Sequence, residues 1–286
     1  MRSDAAHFDL VAPGSLAAVL SMLAQSPGEF TPIAGGTELM VAFGAGRLEP
    51  KKLVSLWGLA ELRFITATAD TLIIGAGSTF TDIRTHAIIA SEFPLLAQSA
   101  SWTGSIANQN RGTIGGNIVN GSPAADSPPA LIAYGAEIEL ISARGSRRLS
   151  YDSFHVAYKK TQLAIDELVY AVHLPRQFER YVQRARKVGT RNAQAISKVA
   201  IAAIAKMNQG TIEDVRIGAA SLCETPIRCT RVEEVLLGKQ VSSRTIEAAR
   251  VALANEIRPI DDIRSTARYR AAVAGNLLEE FLRALV

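Results

Sequence analysis

The chain has 286 residues, a length that suits two domains or one domain with an appendage. Apolar residues make up 48% and charged residues 20%, a globular composition that excludes a disordered or collagen-like chain. With 31 Lys and Arg against 27 Asp and Glu, the net charge is 31 − 27 = +4, which tolerates acidic partners without pointing to them. The basic residues are dispersed and read as solvated faces, not as a nucleic-acid surface. Cys223 and Cys229 are too few for a disulfide framework or for a cluster needing four ligands, and read as two half-buried thiols in a reducing cytosol. His7, His86, His155 and His173 form no HExxH pair, so no zinc centre is expected. Met1 to His7 has no apolar run, so no leader peptide is expected, and no segment has the length of a membrane span.

In chain order, the first 55 residues alternate strand and helix. Ser15 to Ala24 is an amphipathic helix with Ser15 as N-cap. Phe30 to Ala34 is a short strand that runs into Gly35-Gly36, and Leu53 to Leu56 is another. Phe64 to Thr68 and Thr71 to Gly77 flank Ala69-Asp70 as a hairpin. Helices are expected over Thr81 to Ile89 and Phe93 to Ser101, and the small-residue stretch Gly104 to Gly121 reads as loop. Ala136 to Ser142 alternates as a half-buried strand, turns at Arg144-Gly145, and returns through Arg147 to Ser150. Leu168 to Pro175 is a strand closed by proline, and the polar stretch Pro175 to Arg180 marks a domain boundary. Beyond it come a strand and a hairpin, pairing Ala195 to Lys206 with Ile212 to Ala219 across Asn208-Gln209-Gly210. Helices follow at Arg231 to Leu237, Ser243 to Leu253 and Tyr269 to Leu285. The last carries Val273, Leu277, Leu278, Phe281, Leu282 and Leu285 at helical spacing.

Two segments carry chemistry. In Pro32-Ile33-Ala34-Gly35-Gly36-Thr37-Glu38-Leu39 a strand delivers the chain into paired glycines, then a hydroxyl and a carboxylate. Glycines permit positive φ and close approach of a ligand, and consecutive amides in such a turn form a nest for an anion. The segment matches neither GxGxxG nor GxxxxGK[ST], and a plain structural turn accounts for it equally well. The second segment, Gly112 to Ser127, again sets a hydroxyl beside paired glycines and adds Asn117, Asn120, Ser122 and Asp126. It reads either as a loop turned by Pro123 or as a second nest. Two nests on one chain suit a ligand with two phosphates and a long polar body, such as a dinucleotide.

Ala34-Gly35-Gly36-Thr37-Glu38-Leu39, Asn110-Arg111-Gly112-Thr113-Ile114-Gly115-Gly116-Asn117 and Ser122-Pro123-Ala124-Ala125-Asp126 resemble the two FAD motifs of the medium subunit of molybdenum hydroxylases, the xanthine dehydrogenase, aldehyde oxidase and carbon monoxide dehydrogenase family. Pro259 to Arg270 is similar to a proline–aspartate–arginine–tyrosine pattern of that family's C-terminal domain. The resemblance implies an α+β fold of the vanillyl-alcohol-oxidase (PCMH) type in two subdomains, about 1–60 and 61–175. It also implies a C-terminal α+β domain of the carbon monoxide dehydrogenase flavoprotein type, about 176–286. By position, Thr31, Pro32, Ile33, Ala34, Gly35, Gly36, Thr37 and Glu38 would wrap the FAD pyrophosphate, and Thr113, Gly115, Gly116 and Asn117 would complete the cradle. Val119 and Asn120 would lie along the adenosine-to-ribityl stretch, and Asp126 would accept from a cofactor hydroxyl. Leu168 and Val169 would line adenine or flavin, and Lys187 would approach the isoalloxazine, where a cation favours the reduced anionic cofactor. Ala107-Asn108-Gln109 replaces a common Gln-Ile-Arg, and the cysteines of an extra iron–sulfur loop are absent from the sequence.

The resemblance further implies an oxidoreductase component with no catalytic side chain of its own. Electrons from a molybdopterin-bearing large subunit would cross two iron–sulfur clusters on a small subunit, reach the FAD and leave to NAD, oxygen or another acceptor, in the cytoplasm. A self-contained flavin oxidoreductase of the same fold is the alternative, and a member that has lost FAD and serves in assembly is a third.

Overall fold

The computed structural model describes residues 5–49, 52–191 and 193–286. The first four residues of the stretch read for a leader peptide therefore lie outside the described residues.

The chain begins with a small parallel sheet in the order β1-β3-β2, from β1 (Leu10–Val11), β2 (Phe30–Ile33) and β3 (Lys52–Ser55). Helix α1 (Leu16–Gln25) links β1 to β2. The Ser15 hydroxyl accepts from the Ala18 amide at its N-terminus, and Leu16, Val19, Leu20 and Leu23 are buried at helical spacing. That face packs on Val54, Leu59 and Leu62. A short helix α2 (Leu39–Gly44) follows β2 and the two glycines.

The second unit is a five-stranded antiparallel sheet, β4-β5-β10-β6-β7. Its strands are β4 (Ile65–Ala67), β5 (Thr71–Gly75), β6 (Glu137–Ser142), β7 (Gly145–Ser150) and the central β10 (Leu168–Pro175). The expected strands all form. A small hairpin, β8 (His155–Ala157) with β9 (Lys160–Thr161), was not anticipated.

The helices between β5 and β6 differ from expectation. The segment Thr81 to Ile89 is two helices, α3 (Phe80–Thr85) and α4 (Ala87–Glu92), broken at an extended His86 with ψ 124°. An unbroken helix would set Ile83 and Ile89 about 120° apart around its axis. The break lets both reach 0% exposure. Burying each isoleucine contributes about 1.5–3 kcal/mol, which outweighs the about 1 kcal/mol of a backbone hydrogen bond. Helix α5 (Pro94–Trp102) forms as expected. The stretch read as loop contains α6 (Ile106–Arg111) and α7 (Ile114–Asn120), capped by Ser105 and Thr113 hydroxyls. Polar caps and glycines masked them, because each helix is only two turns long. The fully buried α8 (Pro128–Ala133) was also unforeseen.

The third unit is the antiparallel sheet β11-β12-β13-β14, made of β11 (Val182–Val188), β12 (Val199–Asn208), β13 (Thr211–Ala220) and β14 (Ile227–Arg228). The hairpin turns at Gln209-Gly210, and its first strand starts at Val199, later than the expected Ala195. Strand β12 reads as an unbroken apolar run because both faces are covered. Ala202 and Ile204 join the core of the second unit, whereas Val199, Ile201, Ala203 and Ala205 face helices α9 (Thr230–Leu236), α10 (Ser243–Glu256) and α11 (Ala267–Arg283). In α11 Leu277, Leu278, Phe281 and Leu282 are buried, and Val273 and Leu285 partly so. Cys223 is half-buried as expected, but Cys229 is fully buried in this core, and burial pushes its thiol up.

Units two and three share one core. Phe178, inside the polar boundary stretch, is buried beside Tyr134, with ring centroids 5.4 Å apart. The buried Tyr134 hydroxyl accepts from the Leu95 amide and donates to Gln183 Oε1 at 2.6 Å on β11. Gly218 of β13 lies so close to α8 that a Cβ there would sit 2.2 Å from the Pro129 carbonyl oxygen.

The Pro259 to Arg270 pattern forms a clasp at the head of α11. Asp261 accepts from the Ala267 amide. Asp262 Oδ1 accepts from the Arg264 amide at 2.8 Å, the Ser265 amide at 3.0 Å and Arg270 Nη2 at 2.7 Å. Arg270 is only 3% exposed, so not every basic residue is a solvated one. Burial pulls the Asp262 carboxyl upward, but these hydrogen bonds outweigh it and hold the group at about 2.

Gly218→Ala is expected to cost about 1–3 kcal/mol by overpacking against backbone. Gly58→Ala, with nothing within 4 Å of its Cβ, should stay within about 0.5 kcal/mol. Denaturant unfolding of both variants checks the contrast. Because the Asp262 pKa is depressed in the folded chain, its stabilisation is present above the unfolded value of about 3.9 and is lost as pH falls through about 2. Asp262→Asn should therefore lower Tm at pH 7, and the difference from the native chain should shrink steadily below pH 4.

Candidate functional site

The two glycine-rich segments meet at the edge of the small parallel sheet. β2 ends at Ile33 and delivers Gly35 onto the C-terminal end of α6. A Cβ on Gly35 would lie 1.7 Å from the Arg111 carbonyl oxygen and 3.1 Å from the Gly112 nitrogen. Only glycine permits this contact, so Gly35 serves the joint between the segments. Gly36 takes φ +75°, where a side chain is strained, and a Cβ there would meet only Ile33 and Met40 side chains at 3.5 Å. The carbonyls of Gly36 and Glu38 accept from the amides of Met40 and Ala42, which starts α2. Among the described residues, no acceptor takes the amides of Gly35, Gly36, Thr37 or Glu38. Four successive donors left unpaired around a positive-φ residue have the chemistry that suits an anion.

The paired glycines of the second segment do not form a second nest: the amides from Ile114 to Asn117 are spent inside the chain. Ile114 donates to Ser78 O at 3.0 Å, Gly115 to Ala76 O at 2.9 Å, Gly116 to Thr113 Oγ1 at 3.1 Å and Asn117 to Thr113 O at 3.0 Å. Gly115 is buried against Ala76, where a Cβ would lie 2.6 Å from the alanine Cβ. Gly116 is exposed, with only Thr113 Oγ1 near its Cβ position, at 3.0 Å. α7 is thus a wall with one open glycine. Its outer residues continue the surface: Asn117 is half-buried with its Oδ1 held by the Ser127 hydroxyl at 2.6 Å, Val119 is exposed and Asn120 half-buried. Gly121, at φ +60°, ends the helix.

Behind this wall sits a buried ion pair. Asp126 Oδ2 accepts from Lys187 Nζ at 2.6 Å, and Oδ1 accepts from the Ser197 hydroxyl at 2.7 Å. Both charged side chains are 9% exposed, and Lys187 also donates to the Trp102 carbonyl at 3.1 Å. Burial pushes the Asp126 carboxyl up, and Lys187 followed by Ser197 pulls it back. Asp126 follows α7, whereas Lys187 and Ser197 belong to the third unit, so the pair spans the seam.

These features meet matching findings from known proteins. Residues 6–177 match the family described as the FAD binding domain in molybdopterin dehydrogenase, and residues 184–285 match the CO dehydrogenase flavoprotein C-terminal domain. The chain belongs to this family of FAD-binding subunits. It is 31% identical to the xanthine dehydrogenase FAD-binding subunit of Escherichia coli O157:H7, over 90% of this chain and 88% of that one. It is 28% identical to the carbon monoxide dehydrogenase medium chain of Hydrogenophaga pseudoflava, over 97% and 96% of the two chains. A solved structure of carbon monoxide dehydrogenase from that organism, lacking the Mo-pyranopterin moiety of its cofactor, superposes with TM-score 0.93 at 28% identity, again over 97% and 96%. Quinoline 2-oxidoreductase from Pseudomonas putida 86 gives 0.91 at 26%, over 100% and 98%. The expected α+β fold, an FAD-binding part with a carbon monoxide dehydrogenase flavoprotein C-terminal part, is the observed one.

An FAD-binding subunit must receive a diphosphate, and the free amides of Gly35 to Glu38 fit one. The remaining expected residues fall in three places. Thr31, Pro32, Ile33 and Ala34 are half-buried on β2 and its exit, and the exposed Glu38 carboxylate lies 3.5 Å from Lys159 Nζ. Leu168 and Val169, each 5% exposed, sit on β10 with their side chains in two different hydrophobic clusters. Lys187 is not a free cation; it is matched by Asp126. In place of the family's common arginine, Gln109 is buried and donates to the Ser101 carbonyl at 2.9 Å.

Sequence reading missed Trp57, Trp102, Ser197 and Ser78. The Arg111 guanidinium stacks on Trp57, 3.7 Å from the ring centroid. None lies in a glycine motif. Trp57 and Ser78 emerge only from the three-dimensional packing around the glycine segments, and Trp102 and Ser197 only from the ion pair across the seam.

Gly35→Ala should drive the two segments apart and yield a protein that purifies without flavin absorbance. Gly14→Ala, with nothing within 4 Å of its Cβ, should purify with FAD at the native ratio. Visible absorbance per chain distinguishes the outcomes.

Proposed function

We propose that this chain is the electron-transfer flavoprotein subunit of a cytoplasmic, three-subunit molybdenum hydroxylase. The observation that supports this best is the run of unpaired amides at Gly35 to Glu38, held against the C-terminal end of α6 by a glycine contact that admits no side chain. When bound, FAD supplies the redox chemistry that connects iron–sulfur clusters on a small partner subunit to NAD, oxygen or another acceptor. The named relatives include a xanthine dehydrogenase FAD-binding subunit and a carbon monoxide dehydrogenase medium chain, which supports a large molybdopterin-bearing partner as well. No helix among the described residues is long and apolar enough to cross a membrane.

Within that reading the chain's residues have separate tasks. Thr31 to Ala34 flank the pyrophosphate, and Gly35 to Glu38 bind it through main-chain amides, because an anion at four successive unpaired N–H groups needs no lysine. Thr113 orients α7 through its cap, and Gly116 leaves room for the cofactor to approach. Asn117, Val119 and Asn120 flank the extended body of the ligand. Leu168 and Val169 stiffen the floor, and Asp126 with Lys187 sets the local charge. The two FAD-binding subdomains, about 1–60 and 61–175, and the C-terminal domain, about 176–286, grip the ligand from three sides.

Purification from the native source tests the assignment. Flavin absorbance with two further chains, one carrying iron–sulfur clusters and one molybdopterin, is the expected result. A chain that purifies alone and turns over a small-molecule substrate by itself overturns it. Lys187→Met should keep FAD and move its reduction potential to more negative values, since Asp126 loses its countercharge. A spectroelectrochemical titration with no displacement would remove the tuning role of Lys187.

A further inference from the structure

The ion pair behind α7 is the end of a longer buried chain of hydrogen bonds. Arg270, 3% exposed, is gripped by Asp262 at 2.7 Å. Its other terminal nitrogen donates to the Lys198 carbonyl at 2.8 Å and the Ser221 carbonyl at 3.3 Å. The Ser221 hydroxyl donates to the Ser197 carbonyl at 2.9 Å, and the Ser197 hydroxyl donates to Asp126 at 2.7 Å. Ser197 is fully buried and Ser221 nearly so. Ser221 takes φ +66°, unusual for a residue with a side chain, and its amide donates to the Pro123 carbonyl at 2.7 Å. The Lys198 amide in turn donates to the Val188 carbonyl at 2.8 Å, beside Lys187.

The loop Pro123 to Asp126 is therefore held at both ends by the third unit, once through backbone and once through a serine hydroxyl. The two carboxylate oxygens of Asp126 are treated unequally: one faces a cation, the other a neutral dipole. Without the Ser197 hydroxyl, Oδ1 loses its donor and the carboxylate is free to turn both oxygens to Lys187, which changes the field on the cofactor side of the pair.

The geometry points to Ser197 and Arg270 as positioning residues for the flavin site: the Asp262–Arg270 clasp fixes the Ser197–Lys198 and Ser221 backbone, and Ser197 fixes the Asp126 carboxylate. This rests on the reading that places Asp126 and Lys187 beside FAD. The role of the C-terminal clasp is then to transmit the placement of α11 to the flavin pocket through the Ser197 and Ser221 backbone.

The test uses the holo-complex as purified, with FAD affinity and reduction potential as readouts and Tm as a check on folding. Ser197→Ala should weaken FAD binding by up to about tenfold, the ceiling set by the one hydrogen bond to Asp126 that is lost, and shift the potential. Ser197→Thr, which keeps the hydroxyl, should restore both. Arg270→Lys should shift the potential in the same direction and add nothing further in the Ser197→Ala background, since both act on one carboxylate. If Arg270→Lys does not fold, Asp262→Asn takes its place in the cycle. A native potential and affinity in Ser197→Ala, while Asp126→Asn alters both, overturns the proposal and leaves the site reading intact. Additive effects of the two remote variants overturn the link through Ser197. A native potential in Asp126→Asn removes FAD from this carboxylate, and both readings fall together.

Discussion

The contact of Gly35 with the Arg111 carbonyl is the constraint from which the proposed flavin site follows. Two backbones approach to a distance that leaves no room for a Cβ. This approach fixes the exit of β2 against the C-terminal end of α6 and the start of α7. It leaves the following amides without internal acceptors, because the chain has turned away from β2 and α2 has not yet begun. Unpaired main-chain donors are costly unless a ligand or water meets them. A pyrophosphate is a suitable acceptor for such a row, and the family to which the chain belongs binds FAD.

A division of labour separates the two glycine-rich segments. The first offers donors. The second offers shape: the first amides of α7 are taken by Ser78, Ala76 and Thr113, and Gly115 lets the helix settle on Ala76. Paired glycines thus do different work in the two places. In one they permit positive φ and a backbone joint; in the other they permit one close contact of a helix with the turn after β5 and one open surface. A symmetrical picture of two anion hollows is replaced by one hollow and one wall.

The third unit is joined to the second by more than a linker. Strand β12 contributes alternate residues to two cores, Tyr134 bonds to Gln183 across the seam, and Asp126 pairs with Lys187. A buried pair with one partner removed leaves an uncompensated charge, so replacing either Asp126 or Lys187 alone is costly. The C-terminal pattern from Pro259 to Arg270 serves this seam as a clasp and, among the described residues, makes no hydrogen bond to the glycine segments.

The sequence alone determined the larger elements, since their signals are local. Ser15 before an apolar stripe, the alternation in Ala136 to Ser142 and the stripe on the last helix are read from neighbours a few residues apart. The glycine motifs and their spacing also sufficed for the family, its fold and its cofactor. Tertiary structure decided the rest. The break at His86 comes from two isoleucines seeking one core, and α6 to α8 are too short to declare themselves in composition. Lys187 and Arg270 look like any surface cation until folding brings Asp126, Asp262 and two serine-bearing turns around them. Periodicity is written within a single element, but a buried charge finds its partner across elements far apart in the chain, and only the packed molecule specifies which one.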